Sequence, residues 1–187
     1  MASARTARAE AITFIETATA TGSLGGQSFA NALVTLTATG DTANVLTDGF
    51  QSAEMSVPLD LTIAGVGSTE FTDPIIVVFN GHTGPNEAYG FGDTYPNIVE
   101  GYAILSTFVP YTGTFYDLQS AIGPIDGVAL YNSGILFNTV AGGFEITTAE
   151  NATFQAVTPA ATPEPSSLML LGTGVLGFAR VMRRRLS

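Results

Sequence analysis

A strict alternation of apolar and polar side chains over residues 54–63 limits the fold more than any other feature of this sequence. The apolar positions are Met55, Val57, Leu59, Leu61 and Ile63. A period of two places one set of side chains on a buried face and the other in water, as in an antiparallel sheet. Because proline has no N–H to donate to a ladder, Pro58 predicts an edge strand or a bulge at this point.

Other segments extend this β pattern along the chain. Residues 74–79 form a continuous apolar run, which predicts a strand covered on both faces. The pairs Gly25-Gly26, Asn80-Gly81 and Asp126-Gly127 predict turns between strands. We expect about ten to twelve short strands and a single helical turn at 116–122. The sequence therefore predicts an all-β body over residues 10–157, an antiparallel β-sandwich or jelly roll.

The charges are divided sharply between the ends and the middle of the chain. All sixteen carboxylates lie between Glu10 and Glu164, and this stretch contains no Lys or Arg. A surface without cations cannot neutralise phosphates, so we expect no binding to nucleic acid. Without Cys, the chain forms no disulfide and no thiolate metal site.

The composition changes abruptly after the predicted body. Residues 158–165 contain three prolines, which predicts an extended linker. Residues 166–179 are uncharged and mostly apolar, the segment continues through Arg180 to Met182, and Arg183, Arg184 and Arg185 follow it. As a helix, residues 166–182 would span about 26 Å, a little less than a hydrocarbon core of about 30 Å. We therefore expect a short transmembrane helix over residues 166–187, with the Arg cluster cytoplasmic and the body on the other side.

Three parts of this tail occur in a characteristic order. Pro163, Glu164 and Pro165 come first, a short apolar segment rich in Gly and Leu follows, and the Arg cluster 183–185 ends it. This arrangement resembles the PEP-CTERM sorting signal of exported proteins in Gram-negative bacteria. The resemblance covers about the last seventh of the chain.

The resemblance implies a course of processing for this chain. Such proteins cross the inner membrane and are held there transiently by the C-terminal helix, with the body in the periplasm. A membrane-embedded exosortase, acting as a transpeptidase, then cleaves near the Pro-Glu-Pro motif. The product goes to the cell surface or the extracellular matrix, where exopolysaccharide is a candidate partner.

The N-terminal residues 1–9 depart from this pattern. They are small and basic but contain no hydrophobic run of the kind a secretory signal needs. Two interpretations stay open: a disordered terminus, or the last part of a signal peptide whose earlier part is missing from this sequence.

Features of an enzyme are sparse in the body. His82 is the only histidine, and no Gly-x-Ser-x-Gly motif is present. Two carboxylates at a fixed separation would suffice for a glycosidase, with Glu54, Asp60, Glu87 and Asp93 as candidates. No cation is available to support an oxyanion, so we expect a protein without catalytic activity, cofactor or resident metal.

Two kinds of binding site remain as alternatives. Calcium would use oxygen ligands in a loop over residues 86–93, or Asp41 together with Asp48. A carbohydrate-binding or adhesion module would use exposed aromatic rings, although aromatic residues also suit ordinary core packing. The aromatic candidates are Tyr89, Phe91, Tyr95, Tyr102, Tyr111, Phe115 and Tyr116.

Overall fold

A computed structural model describes residues 10–47, 52–83, 85–93 and 103–159, apart from the side chains of His82 and Thr83. These residues form twelve strands and one short 3-10 helix, Thr42–Asn44. The first six strands are β1 (Ala11–Leu24), β2 (Gln27–Asp41), β3 (Leu46–Thr47), β4 (Ser52–Val57), β5 (Leu59–Ile63) and β6 (Gly67–Glu70). The other six are β7 (Ile75–Thr83), β8 (Asn86–Asp93), β9 (Ala103–Pro110), β10 (Ile122–Leu130), β11 (Phe137–Thr139) and β12 (Gly142–Val157).

All strand pairs are antiparallel, which confirms the all-β prediction. The strands form one hydrogen-bonded sheet in the order β3-β4-β7-β8-β9-β10-β12-β1-β2-β5-β6, and β11 pairs with β12. The sheet curls, so that strands distant in this order contact each other. For example, the Phe154 ring on β12 lies 5.6 Å from the Tyr89 ring on β8. The interior of the curl is therefore the hydrophobic core.

The alternation over residues 54–63 belongs to two strands, β4 and β5, and neither lies at an end of the strand order, so the prediction of an edge strand or a bulge at Pro58 is wrong. β4 pairs with β7, β5 pairs with β2, and the exposed Pro58 separates them. The chain passes at Pro58 between nearly opposite ends of the sheet order. All five apolar residues are nevertheless buried, because both strands face the same core.

The predicted helical turn at 116–122 is also absent. Residues 118–120 form a bend, residues 116, 117 and 121 are irregular, and β10 begins at Ile122. Tyr116 and Leu118 point into the core from this segment, and Leu118 has a positive φ of 58°. Because both side chains must reach the core, the segment takes an irregular, non-helical conformation.

Of the three predicted turns, only Gly25-Gly26 is confirmed, at the hairpin between β1 and β2. Asn80-Gly81 lies inside β7, and Asp126-Gly127 lies inside β10. A Cβ at Gly127 would lie 2.6 Å from the carbonyl oxygen of Phe108. Gly127 therefore serves a close approach of two strands rather than a turn.

Gly90 on β8 is required for a similar reason. It has a φ of 155°, and a Cβ there would lie 2.5 Å from the carbonyl oxygen of Leu105 on β9. We expect Gly90→Ala to lower the free energy of unfolding by about 2–3 kcal/mol, because backbone atoms must move to admit the methyl group. Urea denaturation of the parent, Gly90→Ala and Gly134→Ala measures the loss in free energy of unfolding for each variant.

Gly134 is a matched control, since its φ is 80° and a Cβ there would meet nothing within 4 Å. Gly134→Ala should therefore show only the backbone cost, about 1–2 kcal/mol. Equal losses for the two variants would show that the close approach of β8 and β9 is unimportant.

Candidate functional site

The Glu87 groove is an open cavity of about 760 Å³ at one end of the curled sheet. It is formed by the start of β8, the end of β9, the segment 111–121 and the first half of β10. Its polar lining includes Glu87, Thr112, Thr114, Asp117, Ser120 and Asp126. Its apolar lining includes Val109, Phe115, Ile122 and Ile125, together with the rings of Tyr89 and Tyr116. The groove therefore combines an apolar surface with oxygen acceptors and hydroxyl groups.

Glu87 is 1% exposed and is held by uncharged donors. The Tyr89 hydroxyl donates to Glu87 Oε1 at 2.7 Å. The Thr112 hydroxyl donates to the same oxygen at 3.2 Å, and the Thr112 backbone N–H donates to Oε2 at 3.4 Å. Oε2 receives the longer contacts, which leaves it the freer acceptor of the two oxygens.

Two tyrosines beside the groove have raised pKa values. Burial raises the pKa of Tyr89, and the hydrogen bond to Glu87 raises it further. Burial also raises the pKa of Tyr116, and the charge of Asp117 adds to this effect. Both phenols therefore stay neutral at physiological pH, and the Tyr116 hydroxyl donates to the backbone oxygen of Ser120 at 2.7 Å.

The aromatic residues singled out in the sequence serve mainly the core. Tyr89, Phe91 and Tyr116 are each at most 5% exposed. Phe115 is partly buried, and its ring lies edge-on to Phe79 at 5.7 Å. Tyr111 is 48% exposed, whereas Tyr95 and Tyr102 lie outside the described residues. Of the five described rings, Phe115, Tyr89 and Tyr116 line the groove.

The candidate carboxylates of a glycosidase are distributed over three places. Glu87 lies in the groove, and Asp60 is exposed on β5. Glu54 and Asp93 line a second, smaller pocket of about 160 Å³, together with Ile76, Val78 and other residues. The carboxylates that accompany Glu87 are instead Asp117 and Asp126, which the sequence analysis did not single out.

The predicted calcium loop over residues 86–93 is wrong in its geometry, because these residues form strand β8. Asp41 accepts a hydrogen bond from the backbone N–H of Ala43 and caps the 3-10 helix. Asp48 lies outside the described residues, as does the His82 side chain. Among the residues that the structure describes, no group of three or more His, Asp or Glu side chains is placed to hold a metal ion.

Glu16 is a buried carboxyl group that the sequence analysis missed. It is fully buried on β1, and its Oε1 accepts a 2.7 Å hydrogen bond from the Thr107 hydroxyl on β9. Its Oε2 has no hydrogen-bond partner. The signal was present in the alternation Ile12, Phe14, Glu16, Ala18, where Glu16 occupies a core position.

Burial raises the pKa of Glu16 well above its usual value, and the Thr107 hydrogen bond opposes this only in part. Below about pH 4.3 the side chain is protonated in both the folded and the unfolded state. Above that pH the unfolded chain loses the proton while the folded protein keeps it. The free energy of unfolding therefore falls with rising pH, by up to about 1.4 kcal/mol per pH unit, until the pH passes the folded-state pKa.

Glu16→Gln is expected to remove this part of the pH dependence and to be more stable than the parent at about pH 8. Urea denaturation from about pH 5 to about pH 8 measures the slope for both proteins. Glu150→Gln, at an exposed position on β12, is the matched control for loss of one carboxylate. Parallel slopes for the parent and Glu16→Gln would contradict the assignment.

The predicted sorting signal lies outside the described residues. This applies to Pro163, Glu164, Pro165, Arg183, Arg184 and Arg185, to the predicted transmembrane helix at 166–187, and to residues 1–9. In the ranges that the structure describes, no helix is long and apolar enough to cross a membrane. The last strand, β12, ends at Val157, six residues before Pro163.

Comparison with known proteins identifies a motif in the tail. No curated protein and no solved structure matches the chain. Residues 161–185 match the family model of the PEP-CTERM protein-sorting motif. This motif is recognised by exosortases and marks exported proteins. The chain is therefore a protein that carries a PEP-CTERM sorting domain at its C-terminus.

Proposed function

We propose that this protein is a non-enzymatic component of the cell surface or extracellular matrix, released there by exosortase cleavage near Pro163-Glu164-Pro165. The observation that carries the proposal is the match to the sorting motif over residues 161–185. The motif follows closely after an all-β body whose last strand ends at Val157. This order suits a protein whose tail is removed by cleavage and whose body is then released to the cell surface or matrix.

The spacing between body and motif supports access by a membrane-embedded protease. Six residue steps separate Val157 from Pro163, which at full extension reach about 20 Å. The prolines at 159, 163 and 165 disfavour helix and strand pairing in this stretch. A tripeptide that contains two prolines suits a protease cleft, because proline disfavours the helix and strand pairing that would compete with binding to the protease.

We infer that the apolar segment 166–182 anchors the protein in the inner membrane before cleavage, with the body in the periplasm. The Arg cluster 183–185 supports this orientation, because positive charges flanking a membrane segment favour the cytoplasmic side. The segment is short for a hydrocarbon core, which suits temporary retention.

The chemistry of the body supports a role without catalysis. Residues 10–164 contain no Lys, Arg or Cys, so a Lys amine or Cys thiolate nucleophile and a cationic oxyanion donor are missing from this stretch. Glu87 is engaged by Tyr89 and Thr112, an arrangement that orders the groove wall. A strongly anionic body is also soluble and repels its own copies.

Expression of the full chain behind a secretory signal peptide, with and without a cognate exosortase, tests the sorting proposal. We expect the protein in the inner-membrane fraction without the exosortase and on the surface or in the medium with it. Immunoblotting of the separated fractions gives the readout. Equal release in both strains would overturn exosortase-dependent sorting.

The alternative function is carbohydrate binding, as an adhesion module of the matrix. The Glu87 groove favours it, because the groove has the size of a small-molecule site and combines aromatic rings with oxygen acceptors. The two proposals are compatible, since sorting concerns the tail and binding concerns the body.

A further inference from the structure

We propose that the Glu87 groove binds a short stretch of an uncharged polysaccharide. The inference rests on the carbohydrate-binding alternative and adds to it the site and the class of ligand. The cavity of about 760 Å³ lies within the range of about 300–1,000 Å³ found for small-molecule sites. The groove is open to solvent at one end of the curled sheet, so a polysaccharide chain can enter it without displacing core residues.

The lining of the groove matches the two surfaces of a sugar ring. A hexose presents C–H groups on its faces and hydroxyl groups around its rim. Phe115, Val109 and Ile125 supply apolar surface for the faces. Thr114 and Ser120 are exposed and line the same cavity, where their hydroxyls can exchange hydrogen bonds with the rim.

The carboxylates add acceptors that are already fixed in place by uncharged groups. Asp117 accepts from the Gln119 backbone N–H at 3.0 Å, and Asp126 accepts from the Thr153 hydroxyl at 2.7 Å. A carboxylate has about four acceptor positions, so each keeps free lone pairs after these bonds. Hydrogen bonds from sugar hydroxyls to such groups are strong, because the acceptor is charged.

The charge of the body decides between classes of polysaccharide. An anionic polymer would meet three carboxylates in the groove and no Lys or Arg between residues 10 and 164. Repulsion between like charges makes its approach unfavourable, most strongly at low ionic strength. The groups that donate hydrogen bonds to the groove carboxylates are all uncharged hydroxyls or backbone N–H groups. The hydroxyls of an uncharged sugar chain are donors of the same kind and need no opposite charge on the ligand.

Isothermal titration calorimetry of the full chain in detergent tests the proposal. The probes are the neutral hexamers of cellulose, laminarin, mannan and amylose, with polygalacturonate and a chitosan hexamer as charged probes. We expect at least one neutral hexamer to bind, with an affinity that changes less than about twofold between about 0.05 and 0.5 M NaCl. We expect no binding of polygalacturonate.

Two pairs of variants locate the binding. Asp117→Asn/Asp126→Asn should weaken it at least about tenfold, because two charged acceptors are lost. Asp60→Asn/Glu70→Gln removes two charges from paired residues on β5 and β6 and should change it less than about twofold. Phe115→Ala should weaken binding at least about tenfold, whereas Phe71→Ala, which removes another partly buried, edge-packed ring, should leave it unchanged.

The possible outcomes distinguish failure of the proposed site or ligand class from failure of carbohydrate binding itself. Tighter binding of the chitosan hexamer than of every neutral probe would overturn the ligand class while leaving carbohydrate binding in place. Binding that both control variants weaken as much as the groove variants would overturn the site. No binding of any sugar by folded protein, judged by circular dichroism, would overturn carbohydrate binding itself and leave the sorting proposal standing.

Discussion

Replacement of Pro163, Glu164 and Pro165 with alanine is expected to leave the chain uncut and in the inner membrane. The substitution removes the tripeptide that the predicted protease would recognise, and it would permit the helix predicted after residue 165 to begin earlier, within the linker. We expect released protein to fall at least about tenfold, since one factor of ten corresponds to only about 1.4 kcal/mol of lost transition-state binding. Immunoblots of membrane and surface fractions from cells with an exosortase measure this.

The matched control is Thr158→Ala/Pro159→Ala. These residues lie in the same linker but precede the matched range 161–185. Processing should continue in this variant at the parental rate. If both variants were released equally well, recognition would not depend on the Pro-Glu-Pro tripeptide.

Phe154→Ala is expected to lower the free energy of unfolding by about 3–5 kcal/mol. Phe154 is fully buried on β12, and its ring stacks on Phe14 at 6.3 Å and lies 5.6 Å from Tyr89. It thereby joins the two facing parts of the curled sheet. A loss of this size is a large fraction of the stability of an ordinary domain, about 5–15 kcal/mol.

Urea denaturation followed by circular dichroism measures this loss. Phe154→Leu keeps most of the apolar volume and should lose about 1–1.5 kcal/mol. Val128→Ala, at a side chain that is 70% exposed, should change stability by less than about 0.5 kcal/mol. A loss below about 1 kcal/mol for Phe154→Ala would show that this ring does not hold the curl together.

The sequence predicted which side chains face the core better than it predicted where strands end. The five apolar residues between Met55 and Ile63 are buried and the polar residues between them are exposed, as expected, because a period of two depends only on the local backbone. The break at Pro58 was missed since both strands face one core and the period continues unchanged. Asp126-Gly127 looked like a turn in the sequence. Glycine is needed at 127 because the carbonyl oxygen of Phe108 is close by, and Phe108 lies on another strand, so the local sequence gives no sign of it.

The same distinction separates the two functional regions. The sorting motif is contiguous over residues 161–185, so its order of parts is readable in the sequence. The Glu87 groove joins two stretches of the chain, residues 87–89 and 109–126, and their meeting depends on the pairing of β8, β9, β10 and β12. Sequence reasoning named Glu87 and Phe115 but had no means of adding Asp126 to them.

Intact-mass analysis of the surface or secreted protein tests the central claim most directly. Exosortase processing predicts a C-terminus within residues 162–166, without Arg183, Arg184 and Arg185. The measured mass should be lower than that of the uncut chain by the mass of the removed tail, about 2.5 kDa for about 21 to 25 residues at about 110 Da each. Secreted protein that retains the full C-terminus through Ser187 would contradict the account.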